Sequence, residues 1–414
     1  MRILEGQVAD AFVANVEDRG SRLGELEPVV RKIVDDVRRD RNAALLKHAS
    51  QFDGLDAAQP LRVSESEMKQ AWKHAPAPLQ TALKQAAKNI RQFCEWQKPK
   101  EWTKSHGGIS VGQIVRPLDS VGCYVPGGRF PLVSTLLMTV IPAQVAGVKN
   151  IRVVSPRPSS EVLAAAAMLG VSEFYRVGGA QAIAALAYGT ETVARVDKIV
   201  GPGNLYVTAA KKLVAFDCAI DMLAGPTEVV IVSSKGIPGF IAADLIAQAE
   251  HDPETLAIFL TTSRKLARAV ANQLHGAGLD DNAIAQQSIE NRGAILIADS
   301  REQVFDWANR IAPEHITIEK KDLPLVRNAG SVFTGDYSAQ AAGDYASGPN
   351  HVLPTAGAAR FRGGLSVMDF VKVISVQELS FAGLRNLSST IVRLAETEGL
   401  RAHAESVRVR CARA

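Results

Sequence analysis

The stretch IRVVSPRPSSEVLAAAAMLGVSEFYRVGGAQAIAALAYG, residues 151–189, decides the fold class. Two strand-like runs, 151–156 and 173–179, alternate in it with two alanine- and leucine-rich segments, 159–170 and 180–189. Parallel strands need a crossover connection between them, and this connection is usually a helix. The stretch therefore predicts an α/β fold with a parallel sheet.

The same alternation extends from this stretch in both directions. Upstream, residues 108–125 alternate as strands do, and a Gly-rich turn then leads into an apolar helix. Downstream, a short strand precedes the turn GPGN at 201–204 and another helix. A second series of strands and helices begins at Glu228. We therefore expect two α/β blocks, roughly 124–226 and 227–365.

The two ends of the chain do not show this alternation. Residues 1–20 are predicted to form a small N-terminal segment. Apolar stripes at helical spacing predict helices within residues 27–54 and 64–98. The tail from residue 366 is predicted to be mostly helical.

The composition is that of a globular protein with a sizeable core. With 414 residues, 47% of them hydrophobic, the chain is long enough for two or more domains. The net charge is +4 and the basic residues are scattered, so we expect no nucleic-acid partner. The four cysteines have no CxxC spacing, which indicates a reducing compartment. We find no secretory signal and no membrane-spanning apolar run, so we expect a cytoplasmic protein.

Two Gly-rich turns follow predicted strands: VPGGR at 125–129 and GPGN at 201–204. Open α/β sheets bind ligands at the carboxyl ends of their strands, and a helix N-terminus can hold a phosphate. Neither turn is the GxGxxG fingerprint or a P-loop. A dinucleotide site and a tight structural turn are therefore equally good interpretations of these residues.

The segment GDYASGPNHVLPT, residues 343–355, contains one carboxylate, Asp344, and one imidazole, His351. The glycine and proline residues around them interrupt helices and strands, so we predict an irregular loop. Loops on a rigid scaffold are where catalytic and binding groups tend to lie. A surface turn with a bystander histidine is the alternative interpretation.

Three further histidines in the second half of the chain lie near acidic or amide residues. These neighbours are Gln248 with His251, Glu314 with His315, and Glu398 with His403. Imidazole, carboxylate and amide oxygen are ligands for a divalent metal such as zinc. The spacing is neither HExxH nor a closed Cys/His pattern. For each histidine taken alone, a hydrogen-bonded loop or cap residue is the alternative.

Segments in order along the whole chain resemble the histidinol dehydrogenase family. They are VGCYVPGG (121–128), GGAQAIAALAYGTE (178–191), VDKIVGPGNLYV (196–207), DMLAGPTEV (221–229), QAEHD (248–252), NRIAPEH (309–315), AGDYASGPNHVLPT (342–355), GLSVMDF (364–370), SVQELS (375–380) and EGLRAH (398–403). The resemblance implies two Rossmann-like parallel-sheet domains without the GxGxxG fingerprint, and small N-terminal and helical C-terminal segments that mediate dimerisation. The implied bounds are 1–20 for the N-terminal segment, 21–123 with 227–365 for the first Rossmann-like domain with the metal and catalytic residues, 124–226 for the second with the NAD contacts, and 366–414 for the tail that reaches the partner subunit.

The resemblance also implies the activity. It is the zinc- and NAD-dependent four-electron oxidation of L-histidinol to L-histidine through L-histidinal, the last steps of histidine biosynthesis. The implied assembly is a homodimer with one zinc per subunit and shared active sites. The implied catalytic residues are Glu314 and His315, and the implied zinc ligands are Gln248, His251, Asp344 and His403. The implied NAD contacts are Tyr124, Gln181 and Asn204, and the implied substrate contacts are Thr227, Gln248, His251, His315, Asp344, His351, Glu398 and His403.

Two features depart from the family pattern. Thr227 stands where serine is common, and Arg129 and Phe130 stand where smaller residues are often found. Paralogues of the family oxidise other polar alcohols, including a sulfonated diol, and an added arginine suits an anionic substrate. A dehydrogenase of such an alcohol is therefore the alternative function, although the retained Glu398 and His351 favour histidinol. More distant alternatives are a metal-dependent hydrolase and a non-catalytic binding protein.

Overall fold

The computed structural model describes residues 1–19, 23–56, 58–127, 132–277 and 282–412. Its strands are β1 (Arg2–Glu5), β2 (Trp102–His106), β3 (Ile109–Pro117), β4 (Ser120–Tyr124), β5 (Asn150–Val154), β6 (Glu173–Tyr175), β7 (Lys198–Val200), β8 (Ala219–Ile220), β9 (Glu228–Val232), β10 (Leu256–Thr261), β11 (Ala294–Ile297), β12 (His315–Ile318), β13 (Ser331–Thr334) and β14 (Val371–Leu379). Its helices are α1 (Gly6–Glu17), α2 (Leu23–His48), α3 (Glu65–His74), α4 (Ala77–Gln97), α5 (Val133–Ala146), α6 (Ser160–Met168), α7 (Gly179–Tyr188), α8 (Leu205–Val214), α9 (Pro238–Ala249), α10 (Arg264–Gly276), α11 (Ala283–Asn291), α12 (Arg301–Ile311), α13 (Gln340–Tyr345), α14 (Phe381–Thr397) and α15 (Arg401–Cys411).

A five-stranded parallel sheet lies in the middle of the chain, in the order β6-β5-β4-β7-β8. Adjacent residues of its strands face opposite layers, because side chains alternate along a strand. Val153 packs in the cluster of α5 and α6, whereas Val154 packs in the cluster of α7 and α8. Burial on both faces explains why these strands are apolar throughout.

A second parallel sheet has six strands in the order β1-β11-β10-β9-β12-β13. Val230 packs with α1 and α12 on one face, and Val229 packs with α9 and α10 on the other. The predicted α/β class with parallel sheets is therefore confirmed.

The first residues of the chain belong to this six-stranded sheet. Strand β1 pairs with β11 as an edge strand, and α1 buries Ala9, Val13 and Val16 in the same core. Residues 1–20, expected to be a separate small segment, thus supply a strand and a helix within the described residues up to 19. A strand of four residues is too short to show a period in the sequence.

Helices α2, α3 and α4 cover the five-stranded sheet. Helix α2 packs against α7 and α8, while α3 and α4 pack against α6 and α5. The resemblance groups residues 21–123 with 227–365, which contain most of the six-stranded sheet. The apolar stripes of α2, α3 and α4 instead pack against helices of the five-stranded sheet. The functional domain boundaries stay a prediction.

A third, antiparallel sheet has the order β14-β3-β2. The prediction of a helical tail over 366–414 is wrong at its start, because Val371–Leu379 forms β14 along the whole of β3. The sequence VKVISVQEL is rich in the β-branched residues that favour strands. The tail is helical in α14 and α15, as expected.

The four cysteines have free thiols. Cys94, Cys123 and Cys218 are buried, and burial raises the pKa of each thiol to about 12, so these side chains stay protonated. They pack as small apolar residues in the cores around the five-stranded sheet.

Within the described ranges, the helices lack the combined length and apolar character that crossing a membrane requires.

Candidate active site

The candidate site residues lie at one edge of each parallel sheet. Strand β9 begins at Glu228 and β12 begins at His315, so both residues lie at the amino-terminal edge of the six-stranded sheet. Tyr124 ends β4 and Gly201 follows β7, at the carboxyl edge of the five-stranded sheet. The segment 343–355 is hydrogen-bonded on both sides, between Asp344 and Gln248 of α9 and between His351 and Thr135 of α5.

Glu314 and His315 form the centre of the site. Helix α12 ends at Ile311 and β12 begins at His315, so the pair lies where a helix gives way to a strand. Both residues are buried, with exposures of 6% and 3%. The backbone N–H of Glu228 donates to Oε2 of Glu314 at 3.0 Å. Nδ1 of His315 lies 3.3 Å from the carbonyl oxygen of Glu228 and 3.7 Å from Oε2 of Glu314.

Burial and neighbouring charges raise the pKa of both Glu314 and His315. Burial raises the pKa of Glu314 to about 8, against the opposing effect of His315. Burial alone would lower the pKa of His315, but the carboxylates of Glu314 and Asp344 outweigh it and raise that pKa. The pair therefore holds a proton at neutral pH. A general acid–base needs a pKa close to the working pH, and Glu314 meets this condition.

Asp344 joins this pair to Gln248, a further residue of the predicted set. Its Oδ1 lies 3.5 Å from Nε2 of His315, and its Oδ2 accepts a hydrogen bond from Gln248 at 3.2 Å. Burial would raise the pKa of Asp344, but His315 outweighs this and holds it below its usual value, and His351 and His251 act in the same direction. Asp344 is therefore a carboxylate at neutral pH.

Helix α9 supplies two of the predicted metal ligands. Gln248 is buried in its last turn, and the exposed His251 follows its end by two residues. The backbone N–H of His251 donates to the carbonyl oxygen of Gln248 at 3.3 Å, so the two residues lie within one turn at the end of α9. The amide, imidazole and carboxylate groups of Gln248, His251 and Asp344 form a donor set that suits zinc.

The prediction of an irregular loop over 343–355 is wrong for its first residues. Asp344 lies in α13, a helix of six residues. Gly343 lies so close to the ring of Phe333 that a Cβ would come within 2.7 Å of it. Because glycine has no side chain, the short helix can pack closely against Phe333 of β13. The rest of the segment, from Ala346, is irregular as predicted.

His351 bridges the segment 343–355 and α5. Its Nδ1 lies 2.8 Å from the carbonyl oxygen of Asp344, so this nitrogen donates, and its Nε2 lies 3.3 Å from the hydroxyl of Thr135. Burial lowers the pKa of His351, so the ring is neutral and Nε2 accepts from Thr135. Its role as a substrate contact stays a prediction.

Two of the predicted residues are not brought to this site within one chain. Glu398 caps the end of α14 and His403 lies in the first turn of α15, and both are exposed. Gly399 between the two helices has a φ of 77°, a left-handed conformation that ends α14 before α15 begins. In the part of the chain that the structure describes, no three His, Cys, Asp or Glu residues form a group that could hold a metal.

Of the residues that depart from the family pattern, Thr227 lies within the described residues. Thr227 is partly buried and directly precedes β9, next to Glu228. Arg129 and Phe130 lie outside the described residues.

The three predicted NAD contacts lie at the carboxyl edge of the five-stranded sheet. The hydroxyl of Tyr124 accepts from the N–H of Gly179 at 3.1 Å, and the side chain of Gln181 donates to Asp53 at 3.0 Å. The side chain of Asn204 caps α8 by accepting two backbone N–H groups. The strand order reverses between β4 and β7, so Tyr124 and Asn204 flank the switch point where open sheets bind ligands.

A buried ion pair shapes the turn GPGN. Gly201 has a φ of 112°, and a Cβ there would lie 2.2 Å from the carbonyl oxygen of Tyr124, so only glycine fits. The N–H of Gly201 donates to Asp221 at 2.7 Å, and its carbonyl accepts from Lys211 at 3.0 Å. Lys211 and Asp221 also pair with each other, with side chains 2% and 0% exposed.

Four residues around the site were missed in the sequence. They are Arg19, Asp53, Thr135 and Glu228. Glu228 offered a signal, because a carboxylate at the head of the apolar strand EVVIV must find a partner when it is buried. Its partner Arg19 lies 209 positions away, and no local pattern connects residues over such a distance.

Known proteins share this sequence and fold over nearly their whole length. The histidinol dehydrogenase family profile matches residues 17–411. The chain is 47% identical over 395 residues to a histidinol dehydrogenase of Methanothermobacter thermautotrophicus, which covers 92% of each chain. It is 45% identical over 416 residues to one of Geobacter sulfurreducens, which covers 97% of each. The crystal structure of histidinol dehydrogenase from Elizabethkingia anophelis matches with a TM-score of 0.94 and 36% identity, over 99% of this chain and 98% of that chain.

The chain belongs to the histidinol dehydrogenase family. The predicted resemblance is therefore confirmed, and so is the prediction of an oxidoreductase. The roles of single residues in this member of the histidinol dehydrogenase family stay predictions, which the geometry above makes testable.

The ion pair below the turn GPGN predicts unequal effects for two adjacent lysines. Lys211→Met should destabilise the fold by about 3–5 kcal/mol, because Asp221 would remain buried without its partner. The control Lys212→Met removes an exposed lysine that pairs with Glu27 at the surface, and should cost less than about 1 kcal/mol. Urea unfolding measures both, and equal losses would contradict the assignment.

The buried Glu314 predicts a pH-dependent gain of stability on substitution. A carboxyl pKa raised from 4.5 to about 8 means that the folded chain loses stability as pH rises across this interval. Glu314→Gln carries no charge and keeps an acceptor for Glu228, so its gain in melting temperature should grow across this interval and then level off. The control Glu319→Gln, just beyond the other end of β12, should show no such trend. A gain independent of pH would speak against a raised pKa.

Proposed function

We propose that this chain oxidises L-histidinol to L-histidine in two steps through L-histidinal, with NAD as the acceptor and zinc as the bound metal. The observation that carries the proposal is the buried Glu314–His315 pair in contact with Asp344, which is hydrogen-bonded to Gln248. Acid–base groups and a metal-type donor set thus lie together at one sheet edge. The comparisons support the family, and the geometry supports these residues as its site.

In the first step, a base must take the hydroxyl proton while the carbon loses hydride. His315 is held by the carbonyl of Glu228 at Nδ1 and by Asp344 at Nε2, so both ring nitrogens have defined partners. When a neutral ring donates Nδ1–H to Glu228, Nε2 is the atom left to receive a proton. Asp344 then stabilises the imidazolium that forms, because its carboxylate lies beside Nε2.

In the second step, water must add to the aldehyde before a second hydride leaves. Glu314 suits the removal of the water proton, because a carboxylate whose pKa is raised to about 8 is a stronger base than an ordinary one. His315 lies beside Glu314, so the proton can pass between the two residues. The rate of oxidation should therefore rise as pH rises through about 8.

The residues Gln248, His251 and Asp344 would hold zinc from one chain, and His403 of the partner subunit would complete the set. Bound zinc orients the amine and imidazole nitrogens of the substrate. The exposed position of His403 on α15 supports this arrangement, because a ligand for a second copy must project outward. We also propose that the tail mediates a homodimer with shared active sites.

The remaining proposed contacts follow the two sheet edges. Bound NAD accepts hydride, and Tyr124, Gln181 and Asn204 would hold it at the switch point of the five-stranded sheet, which we take as Rossmann-like. The proposed substrate contacts are Thr227, Gln248, His251, His315, Asp344 and His351, with Glu398 and His403 of the partner subunit. A cytoplasmic location remains a prediction.

The direct test is oxidation of L-histidinol. Purified protein supplied with zinc and NAD should form one NADH for each of the two oxidation steps, and a chelator should abolish the reaction. The same assay on a sulfonated diol separates histidinol from the alcohol of a paralogue. No NADH from histidinol in zinc-loaded protein would contradict the proposal.

Mixing two inactive variants tests the shared site. Asp344→Ala and His403→Ala should each be inactive alone, because each removes one ligand from every site. In a statistical mixture, half of the dimers are mixed and one of their two sites is intact, so about one quarter of the activity should return. Zinc content should recover in parallel. A mixture that remains inactive would show that each chain builds its own site.

A further inference from the structure

We propose that Arg19 and Glu228 are positioning residues of the active site: their buried ion pair holds in place the backbone groups that orient Glu314 and His315. This inference rests on the proposed function, because it assigns the pair to the same reaction. Neither residue is expected to touch the substrate. Both are expected to act on catalysis through Glu314 and His315.

The ion pair is bidentate and enclosed. Nε of Arg19 donates to Oε1 of Glu228 at 2.8 Å, and an Nη2 of Arg19 donates to Oε2 at 2.9 Å. The side chains are 15% and 5% exposed, so solvent screens this pair little. A planar guanidinium with two parallel bonds fixes both the distance and the orientation of a carboxylate, which a lysine cannot do.

Arg19 also holds the chain that leads into the catalytic pair. Its Nη2 donates to the carbonyl of Ile311 at 2.9 Å, three residues before Glu314. Its Nη1 donates to the carbonyl of Val16, near the end of α1. One guanidinium thus connects α1, the end of α12 and the start of β9, the elements that surround the entry to β12.

Glu228 carries the connection from its side chain to its backbone. Its N–H donates to Oε2 of Glu314 at 3.0 Å, and its carbonyl lies 3.3 Å from Nδ1 of His315. Its Oε1 also accepts from the N–H of Ala356, just beyond the segment 343–355 that carries Asp344 and His351. Every polar group of Glu228 therefore contacts a part of the site or Arg19.

Stability alone gives no sufficient reason for a charged pair at this position. Removing two charges from water is unfavourable, and well-packed apolar residues of the same volume are often as stabilising. An apolar pair would lose the orientation of Glu228, since only directed bonds fix it against Arg19 and Ala356. The fixed orientation serves the two bonds from Glu228 to the catalytic side chains.

The test compares Arg19→Gln, Arg19→Lys and Glu228→Gln with one control, Arg310→Gln. Arg310 pairs with Glu17 at 3.0 Å and so also joins α12 to α1, but its side chain does not bond Glu228. The control therefore loosens the same two helices and leaves the positioning pair intact. For each zinc-loaded variant, kcat, KM for histidinol, the pH profile, zinc content and melting temperature are measured.

Arg19→Gln should lower kcat by about 10- to 100-fold while KM changes less than about threefold, since a small displacement of catalytic groups has such an effect. The pH profile of kcat should move to higher pH. The charged and titratable groups that face Glu314 are Glu228, His315 and Asp344, with Arg19 behind Glu228. Loss of Arg19 loosens the N–H bond that stabilises the Glu314 carboxylate.

Arg19→Lys should recover part of kcat, because it keeps the charge without the bidentate geometry. Arg19→Gln combined with Glu228→Gln should lose no more than the worse single variant, since both break one unit. Arg310→Gln should keep kcat within about twofold and leave the pH profile unchanged. If Arg19→Gln does not fold, Arg19→Lys carries the comparison, with an expected loss of kcat and the same direction of pH shift.

Three results would overturn the inference. They are an unchanged kcat in folded Arg19→Gln or Arg19→Lys, a kcat loss that follows zinc content or melting temperature with an unchanged pH profile, and an equal effect in Arg310→Gln. Failure of the proposed function is separate, because it would appear as a wild-type protein that does not oxidise histidinol at all.

Discussion

The parallel pairing of β9 with β12 is the constraint on which the candidate site depends. It sets His315 opposite Val229 and brings the backbone of Glu228 against the side chains of Glu314 and His315, the proposed catalytic residues. Because both strands lie inside the six-stranded sheet, packed neighbours enclose the pair and prevent it from relaxing into solvent. That enclosure raises the pKa of Glu314 to about 8. Because the backbone of Glu228 contacts Glu314 and His315, a displacement of Glu228 would also displace these two side chains.

The candidate site uses the amino-terminal edge of the six-stranded sheet and the carboxyl edge of the five-stranded sheet. Helix α9 leaves the carboxyl end of β9 and returns, so Gln248 in its last turn lies beside the amino-terminal edge where β12 begins. The switch point of the five-stranded sheet lies at a carboxyl edge. The segment 343–355 joins the two regions, because His351 contacts both Asp344 and Thr135. A hydride acceptor at one edge and an acid–base pair at the other would thus meet across this segment.

The sequence predicts the parts of this arrangement that local patterns control. Apolar strands between helices indicate the two parallel sheets, and the short spacing of Gln248 and His251 keeps these two residues close to each other. It does not predict β1, which has four residues, or α13, a helix of six residues in which Gly343 packs against Phe333. The ion pair of Arg19 with Glu228 connects positions too distant for any periodic pattern. Open α/β sheets generally bind ligands at the carboxyl ends of their strands, whereas Glu314 lies at an amino-terminal edge.

The claim that joins these observations is that Gln248, His251 and Asp344 bind zinc beside the Glu314–His315 pair, with His403 of the partner subunit as a further ligand. Anomalous diffraction at the zinc edge from crystals of zinc-loaded protein tests it most directly. We expect one peak per chain, at about 2.0–2.2 Å from the ligand atoms of these residues. A peak elsewhere, or one whose ligands exclude Asp344 and Gln248, would contradict it.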